Sequence, residues 1–558
     1  MSTIATNESS SEQEFKMAIA IKPLIEEDED IKDLTDVIGH YGKWQKIIFA
    51  FMFFIGFPAA WNNLVLTFIA PNIDHWCARI PAYKNMSVED WKNWTIPVVG
   101  KNGNRPEYDE CRHYKWMTNS SDIVYVDHNR TVPCSSWEYD HSFYSRTIVE
   151  KWNLVCDKSW LISMSQSVYM AGILLASLLL GHLSDRFGRR PVLLISFVLT
   201  FCSGIICAFS PSYIVFTIMR FIIGCGKSGL FDTCFVHLME SVGPEHRSVI
   251  GIAIEFGWAT GYIMLPGIVW LVRDWFYIQL AITIPIILLG TMWWFLPESP
   301  RWLLSHGKLK EAIEVLEKAA SINEVSVSDI DTCINKLATN IGIESEEVVK
   351  HKTVLDLVKT ANIRWKALIL CLNWFVVSFV FYGISLHTNS LGGNTFLNFF
   401  ISGIVEFPAY FACIFIIKYL GRRLPLTISM VGGGLACILT IPIPDSLLWL
   451  RILFAMVGKL CVTAAYAIIY IYTTEVYPTV VRNIGLSSGS FCAGMGSVLA
   501  PFVKEIGEYT SPIVPMALFG GLSMVAGLLI LRLSETNNKT LHDVIDQNDR
   551  LVIAGTSK

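Results

Sequence analysis

Twelve apolar stretches punctuate this 558-residue chain, at roughly 47–70, 160–180, 191–209, 213–237, 248–271, 276–296, 365–386, 395–417, 424–441, 447–472, 484–506 and 513–533. A helix needs about 20 such residues to cross a bilayer. The pattern therefore predicts an all-α membrane protein with twelve transmembrane helices. Two long polar insertions interrupt it, at about 72–158 and 297–364. The predicted units are a tail over 1–45, a six-helix bundle over 46–296 carrying the first insertion, a linker over 297–364, a second six-helix bundle over 365–533 and a tail over 534–558. The first 45 residues are polar and include the acid run Glu26-Glu-Asp-Glu-Asp30, so they read as a solvated tail and not as a cleavable signal. The first span then serves as the insertion signal.

Charge placement orients the spans. Arg186, Arg189 and Arg190 fall in one short connection, and Arg301, Lys308, Lys310, Lys318, Lys336, Lys350, Lys352, Lys359 and Arg364 in the second insertion. The connections 210–212, 387–394, 442–446 and 507–512 hold no Lys or Arg. By the positive-inside bias the basic side is cytoplasmic, which puts both termini there and the first insertion outside. Because charge is segregated by loop, the net value of −4 carries no information about a partner.

The first insertion holds Cys77, Cys111, Cys134 and Cys156, an even count in an oxidising compartment that reads as two disulfides. It also holds glycosylation sequons at Asn85, Asn93, Asn119 and Asn129. Together these predict a folded, glycosylated outer domain. The helical pattern Lys310-Glu-Ala-Ile-Glu-Val-Leu-Glu-Lys318 lies in the second insertion. No metal-ligand spacing, phosphate-cradling loop or Gly-x-Ser-x-Gly elbow occurs, so no enzymatic activity, metal or cofactor is expected, and no nucleic-acid partner.

The two halves repeat each other weakly. Arg220 begins Arg-Phe-Ile-Ile-Gly224 in span 4, with Glu240 and Arg247 seven residues apart beyond it; Arg451 opens span 10, with Glu475 and Arg482 again seven apart. Gly181-His-Leu-Ser-Asp185-Arg186-Phe-Gly188-Arg189-Arg190 joins spans 2 and 3, and Gly421-Arg-Arg423 is a degraded copy after span 8. Such parallel half-repeats are expected where two bundles rock about a central site.

The connection 181–190, in this context, resembles the signature loop between helices 2 and 3 of major facilitator transporters. Further stretches narrow the likeness: Trp137-Glu-Tyr-Asp140, Trp152-Asn-Leu-Val-Cys156, Pro297-Glu-Ser-Pro-Arg-Trp-Leu-Leu304, Val405-Glu-Phe-Pro408 and Glu475-Val-Tyr-Pro-Thr-Val-Val-Arg-Asn483. With the cysteine-rich first loop, they make residues 40–535 similar to the organic cation, carnitine and organic anion transporter family, in particular to insect-type cation and zwitterion carriers, including carcinine-like ones. The resemblance implies the disulfides Cys77–Cys134 and Cys111–Cys156, with one of the family's usual three pairs missing. It also implies that Glu406 has its counterpart in the cation pocket.

Carboxylates inside spans are costly and commonly functional. Glu406 sits mid-way along span 8 beside Pro408, Asp232 lies in span 4 and Glu255 early in span 5, while Lys227 and Lys459 are basic residues within spans. Aromatic residues surround the same depth: Tyr169, Trp374, Phe375, Phe381, Tyr382, Tyr466 and Tyr470. Their faces suit an organic ammonium, and Gln166 offers a neutral hydrogen-bonding group. Much of the family carries a charge in span 11, at the position of Gly494 here. That departure disfavours a pure anion carrier, and Asp232 is expected to compensate for it.

The expected function is transport of a small organic cation or zwitterionic amine, carnitine- or carcinine-like, across the plasma membrane by alternating access, by a monomer embedded in lipid. Glu406, Asp232, Gln166 and the seven aromatics are the expected substrate contacts. Asp185, Arg189, Arg220, Glu240, Arg247, Glu475 and Arg482 are the expected gating residues. The rival readings are an organic anion or sugar carrier of the same fold, and a transport-dead receptor or adhesion protein using the outer domain.

Overall fold

The computed structural model describes residues 34–102, 105–118, 124–325, 357, 361–387, 392–477, 482–511 and 513–536. The acid run at 26–30 and most of the linker lie outside them, as does Asn119. Each predicted apolar stretch falls on helix. Ten helices have the length and hydropathy to cross a membrane: Lys43–Leu64, Cys156–Phe187, Arg189–Ala208, Tyr213–Ser241, Pro244–Val272, Trp275–Phe295, Ile363–Leu386, Thr395–Leu420, Leu448–Val476 and Ile513–Ile530. Ile484–Leu499 and Phe502–Tyr509, bent by 41°, make an eleventh. Arg423–Leu439 is apolar but shorter, at 17 residues. These helices are numbered here as spans 1 to 12 in chain order.

The connection expected over 181–190 is almost entirely helical. Span 2 runs on to Phe187 and span 3 starts at Arg189, leaving only Gly188 to reverse the chain. Its φ of +105° is open to glycine and strained for other residues.

Large apolar side chains such as Leu179, Ile214, Leu271, Leu288, Trp294, Phe411 and Leu528 remain exposed on the outer surface, as expected where lipid replaces water. Without a hydrophobic drive between helices, close approach of small residues does the packing. A Cβ on Gly224 of span 4 would lie 2.4 Å from the Tyr169 carbonyl oxygen of span 2, so those backbones touch. Spans 2 and 3 both pack on span 4, and span 1 packs on span 5. In the second half span 9 packs on 12 and 10, and span 7 on 11. The halves meet mainly where span 2 crosses span 11 and span 5 crosses span 8.

Several spans break at informative places. Span 8 is interrupted at Val405, so Glu406 opens the segment Glu406–Leu420. Pro408 has no N–H to give to the residue four before it, which accounts for the break. Span 5 is interrupted at Ile254, so Glu255 likewise opens its segment.

The first insertion is a small β-rich domain, a feature the apolar pattern did not foreshadow. It contains three two-stranded antiparallel sheets: His75–Cys77 with Trp137–Tyr139, Val98–Asn102 with Arg105–Tyr108, and Arg112–Thr118 with Val124–Pro133. Trp91 is fully buried between Trp76 and Ile96 and donates Nε1 to the Cys77 carbonyl at 3.0 Å. The disulfides are Cys77–Cys134 and Cys111–Cys156, the pairing the resemblance implied. His75 stands beside Cys111 and Cys156, but both sulfurs are committed to the disulfide and leave no metal-ligand set. Asn85, Asn93 and Asn129 are exposed. Arg146 ties the domain to the base of span 6 by an ion pair with Asp274 at 2.7 Å.

At the end bearing this domain the halves are in contact. Phe68 stacks on Phe396 and meets Phe399 edge-on, Tyr262 bonds Ser402 at 3.0 Å, and Ser163 donates to the buried Glu505 carboxylate at 2.7 Å. At the opposite end the helix Leu309–Asn323, which contains the predicted 310–318 pattern, packs under span 1, with Asn323 accepting from the Trp44 backbone N–H at 2.8 Å.

His113 gives the first-loop domain a pH signature. Its ring stacks 3.6 Å from that of Trp116, and burial pushes the imidazole below its ordinary 6.5 although the Tyr114 carbonyl opposes the shift. The unfolded chain then accepts a proton that the folded one resists, so stability is held above pH 6.5 and lost as pH falls through the lower folded value. Thermal unfolding of the purified protein should show a midpoint that drops between neutral and mildly acidic pH, and His113→Gln should flatten that slope.

Candidate functional site

Lys459 and Glu406 hold the centre of the second half. Lys459 Nζ lies 2.9 Å from Glu406 Oε1, and neither side chain has any exposed surface. Ser385 Oγ accepts a second bond from Nζ at 2.6 Å, and the Phe381 ring centroid lies 3.3 Å away. The Tyr262 ring, from the first half, stands 5.4 Å from the same nitrogen. A carboxylate, a hydroxyl and a π face thus surround the ammonium, which an apolar interior would otherwise expel. Four spans contribute: 5, 7, 8 and 10.

A second charged group lies in spans 4 and 5. Lys227 interacts electrostatically with both Asp232 and Glu255, and Glu255 in turn with Glu406. Ser228 donates to Asp232 at 2.6 Å. The Asp232 side chain is accessible although its span is packed on three others, and its field reaches Tyr466 and Tyr470 of the opposite half. Nearby on span 4, Phe235 meets Tyr470 of the opposite half at 5.8 Å, so this part of span 4 approaches span 10 across the space between the halves.

The aromatics fall around this space to different degrees. Trp374 is buried, donates Nε1 to Thr473 at 2.9 Å, and meets Tyr466 and Tyr470 edge-on at 6.1 and 5.6 Å. Phe381 contacts Tyr382 and Tyr466 at 5.3 and 5.5 Å. Tyr382, Tyr466 and Tyr470 are half-buried. Phe375 packs on Phe379 within span 7.

Gln166 and Tyr169 form a different arrangement. Gln166 accepts from Arg220 at 2.6 Å and donates to the Asn63 carbonyl at 2.8 Å, so both ends of its amide are occupied by protein. Arg220 also donates to the Asn62 carbonyl at 2.8 Å and lies 4.3 Å over the Tyr169 ring. Arg220 therefore braces spans 1, 2 and 4 near the first-loop end and takes no part in the charge network at the other end. Gln166, expected to offer substrate a neutral hydrogen-bonding group, gives both ends of its amide to protein here, and Arg220, expected among the gating residues, lies apart from the Arg189 cluster. The physical reason is that a buried guanidinium claims the nearest oxygens.

At the end opposite the first-loop domain, Asp185, Arg189, Glu240 and Glu475 fall in two similar ion-pair clusters, one in each half. Arg189 pairs with Asp185 and Glu240, each at 2.7 Å, and Ser299 donates to Glu240 at 2.6 Å. Glu298 receives the backbone N–H groups of Arg189 and Arg190 at the start of span 3. In the second half Arg422 pairs with Glu475 at 2.9 Å, Thr536 donates to Glu475 at 2.6 Å, and Glu535 receives the N–H groups of Arg422 and Arg423. Arg247 donates Nε to the Val242 carbonyl at 2.9 Å. The Arg482 side chain lies outside the described residues.

Arg422, Glu298, Glu535, Ser299 and Thr536 were not singled out from sequence. The signal was available as a matched Glu-Ser and Glu-Thr just beyond spans 6 and 12, at 298–299 and 535–536. Lys459 was noted only as a basic residue within a span. The uncharged Gly494 packs against span 2, where a Cβ would meet the Leu174 side chain at 2.5 Å.

The chain's sequence matches the family described as "Sugar (and other) transporter" over residues 107–546. It is 36% identical over 535 residues to the "Organic cation transporter protein" of Drosophila melanogaster, covering 93% of this chain and 94% of that one. The human "Organic cation/carnitine transporter 2" is 33% identical over 93% of this chain and 94% of its own length. The chain belongs to the organic cation and carnitine transporter family of the major facilitator superfamily. Its fold is that of the Escherichia coli xylose transporter XylE in a partially occluded inward-open conformation, with a TM-score of 0.59 at 17% identity over 89% of this chain and all of that one. As a major facilitator protein it is a multi-pass membrane transporter that works by alternating access, and not an enzyme.

Two predictions follow from these geometries. Glu406→Gln leaves the Lys459 ammonium without its counter-charge, and breaking a buried pair from one side costs about 3–5 kcal/mol. The protein should lose thermal stability, and Glu406→Gln/Lys459→Met should recover most of that loss. A double variant no more stable than Glu406→Gln would mean that the pair is not the dominant interaction there. For the duplicated network, Arg422→Ala should slow transport as much as Arg189→Ala does, at unchanged surface expression; full turnover in Arg422→Ala would separate the two halves in function.

Proposed function

We propose that this transporter carries small organic cations or zwitterionic amines, of the carnitine or carcinine kind, through the space between residues 46–296 and 365–533. The observation that carries the reading is the charge balance at spans 4 and 5. Lys227 faces two carboxylates, Asp232 and Glu255, while Lys459 is matched by Glu406. Arg220 of span 4 is held apart by Gln166 and the Asn62 carbonyl, so around Lys227 one carboxylate is in excess, and Asp232 is the accessible one. An ammonium entering between Asp232, Tyr466 and Tyr470 supplies the missing charge and meets aromatic faces. The relatives named for organic cations and carnitine support this, as does the Drosophila "Beta-alanine transporter", 32% identical over 94% of this chain and 90% of its own length.

In this reading the protein works as a monomer in the plasma membrane, with both termini and the linker 297–364 cytoplasmic and the first-loop domain outside, glycosylated at Asn85, Asn93, Asn119 and Asn129. The contacts at the first-loop end then mark a state closed to the outside. The duplicated Arg–Glu networks hold each bundle's cytoplasmic end as one body while the bundles rock. Trp374, Phe375, Phe381, Tyr382 and Tyr169 line or back the substrate path, and Arg247 and Arg482 flank the networks.

The test is uptake into proteoliposomes of a radiolabelled quaternary ammonium, carnitine, β-alanine and an aromatic carboxylate. Cations or zwitterions should be accumulated and the anion should not. Asp232→Asn should raise the apparent KM for the carried amine at least several-fold, since an opposite charge a few ångströms away is worth roughly a few kcal/mol at an effective dielectric near 20. Preferred uptake of the anion, insensitive to Asp232→Asn, would replace this reading with an anion carrier.

A further inference from the structure

Cys371 in span 7 and Cys492 in span 11 stand close enough for their thiols to interact. Neither belongs to the charge balance or to the Arg–Glu networks. Both are half-buried, whereas Cys207, Cys234, Cys413 and Cys437 are buried. Cys371 Sγ also approaches Ser488 Oγ at 3.9 Å, one helical turn before Cys492.

The two helices are unusually close at this point. One turn further along both, at Phe375 and Gly496, a Cβ on the glycine would lie 2.4 Å from the Phe375 carbonyl oxygen. A Cβ on Gly489 would meet the Trp374 ring at 2.6 Å. Cys371 and Cys492 each precede the Phe375–Gly496 contact by four residues, so they occupy the same register on facing surfaces. Near-backbone contact of this kind brings Cα atoms toward the roughly 4.4–6.8 Å that a disulfide spans.

We propose that Cys371 and Cys492 form a modifiable dithiol site, which a hydroperoxide closes to a disulfide and which a trivalent arsenical or similar two-thiol reagent bridges. In the oxidation, one thiolate attacks the peroxide to give a sulfenic acid and an alcohol, and the second thiol displaces water from that sulfenic acid to form the S–S bond. The hydroperoxide is reduced by two electrons and the two thiols are oxidised. In the bridging reaction, an arsenic oxide and two thiols give a cyclic dithioarsinite and water, with no change of oxidation state. Either product ties span 7 to span 11 one turn from Trp374, whose ring packs on Tyr466 and Tyr470.

The test uses the purified full-length protein and needs no knowledge of its substrate. After treatment with phenylarsine oxide, peptide mapping should place one arsenic across the peptides bearing Cys371 and Cys492. After tert-butyl hydroperoxide and denaturing alkylation, the same two peptides should be recovered linked, and a thiol reductant should separate them. Cys371→Ser and Cys492→Ser should each remove one arsenic adduct and leave the other cysteine fully alkylated after the oxidant. Recovery of Cys371 and Cys492 as separately alkylated peptides from oxidised wild type, with arsenic retained equally by both serine variants, would overturn the proposal. Mapping on the wild type decides the matter even if a serine variant fails to fold.

Discussion

An ammonium buried in a bilayer-spanning bundle must be answered in full, and the answer to Lys459 organises the second half of this transporter. The counter-charge comes from Glu406, placed at the start of a helical segment by the break at Val405. A helix N-terminus favours a carboxylate on its own account, so the break and the charge support one another. Ser385 and Phe381 complete the shell from span 7, which ties spans 7, 8 and 10 together. The Tyr262 ring reaches the same nitrogen from the first half, and its hydroxyl bonds Ser402 on span 8. The pair is therefore both a structural clamp within one bundle and a point where the other bundle touches it.

The opposite end is built on rigidity within each half. Glu298 and Glu535 each receive two backbone N–H groups from the start of an earlier helix, span 3 and span 9 respectively, which are donors a helix leaves unpaired. Ser299 and Thr536 then fix Glu240 and Glu475 for their arginines. The two constellations correspond apart from Asp185, whose place in the second half is taken by Lys418, and a positive-φ glycine precedes each, at Gly188 and Gly421. All of these contacts lie within a single half. Under the proposed reading they hold each bundle's end together while the bundles rock.

Much of this was legible in the sequence, for reasons that can be stated residue by residue. The spans were readable because hydrocarbon tolerates only long apolar helices, and all twelve stretches fall on helix. The recurring seven-residue spacing of Glu240 with Arg247 and of Glu475 with Arg482 pointed to the two acidic groups, but their arginine partners are Arg189 and Arg422, from the turns before spans 3 and 9. The β-hairpins of the first-loop domain were not, since their short strands carry no apolar period distinct from the surrounding loop. Arg220 and Gln166 are polar residues in apolar spans, and sequence alone does not distinguish a residue turned to substrate from one turned to a neighbour. The same ambiguity hid Lys459, whose partner lies 53 residues away in the chain, the distance from Glu406 to Lys459.

The position of the excess charge is the last consequence of this packing. Gly494, where much of the family places a charge, abuts Leu174 of span 2 at the crossing of the two halves. A larger residue there would have to displace that contact before it could face a substrate. The glycine allows spans 2 and 11 to approach closely, and close approach leaves no room for a charged side chain at that point. A cation site must then draw its carboxylate from elsewhere around the cavity. Under the proposed reading, Asp232 and Glu255 of spans 4 and 5 stand against Lys227, and the accessible one, Asp232, supplies it. Tight packing at one crossing and an unmatched carboxylate on another span are thus two sides of one constraint: the charge sits where the helices stand apart.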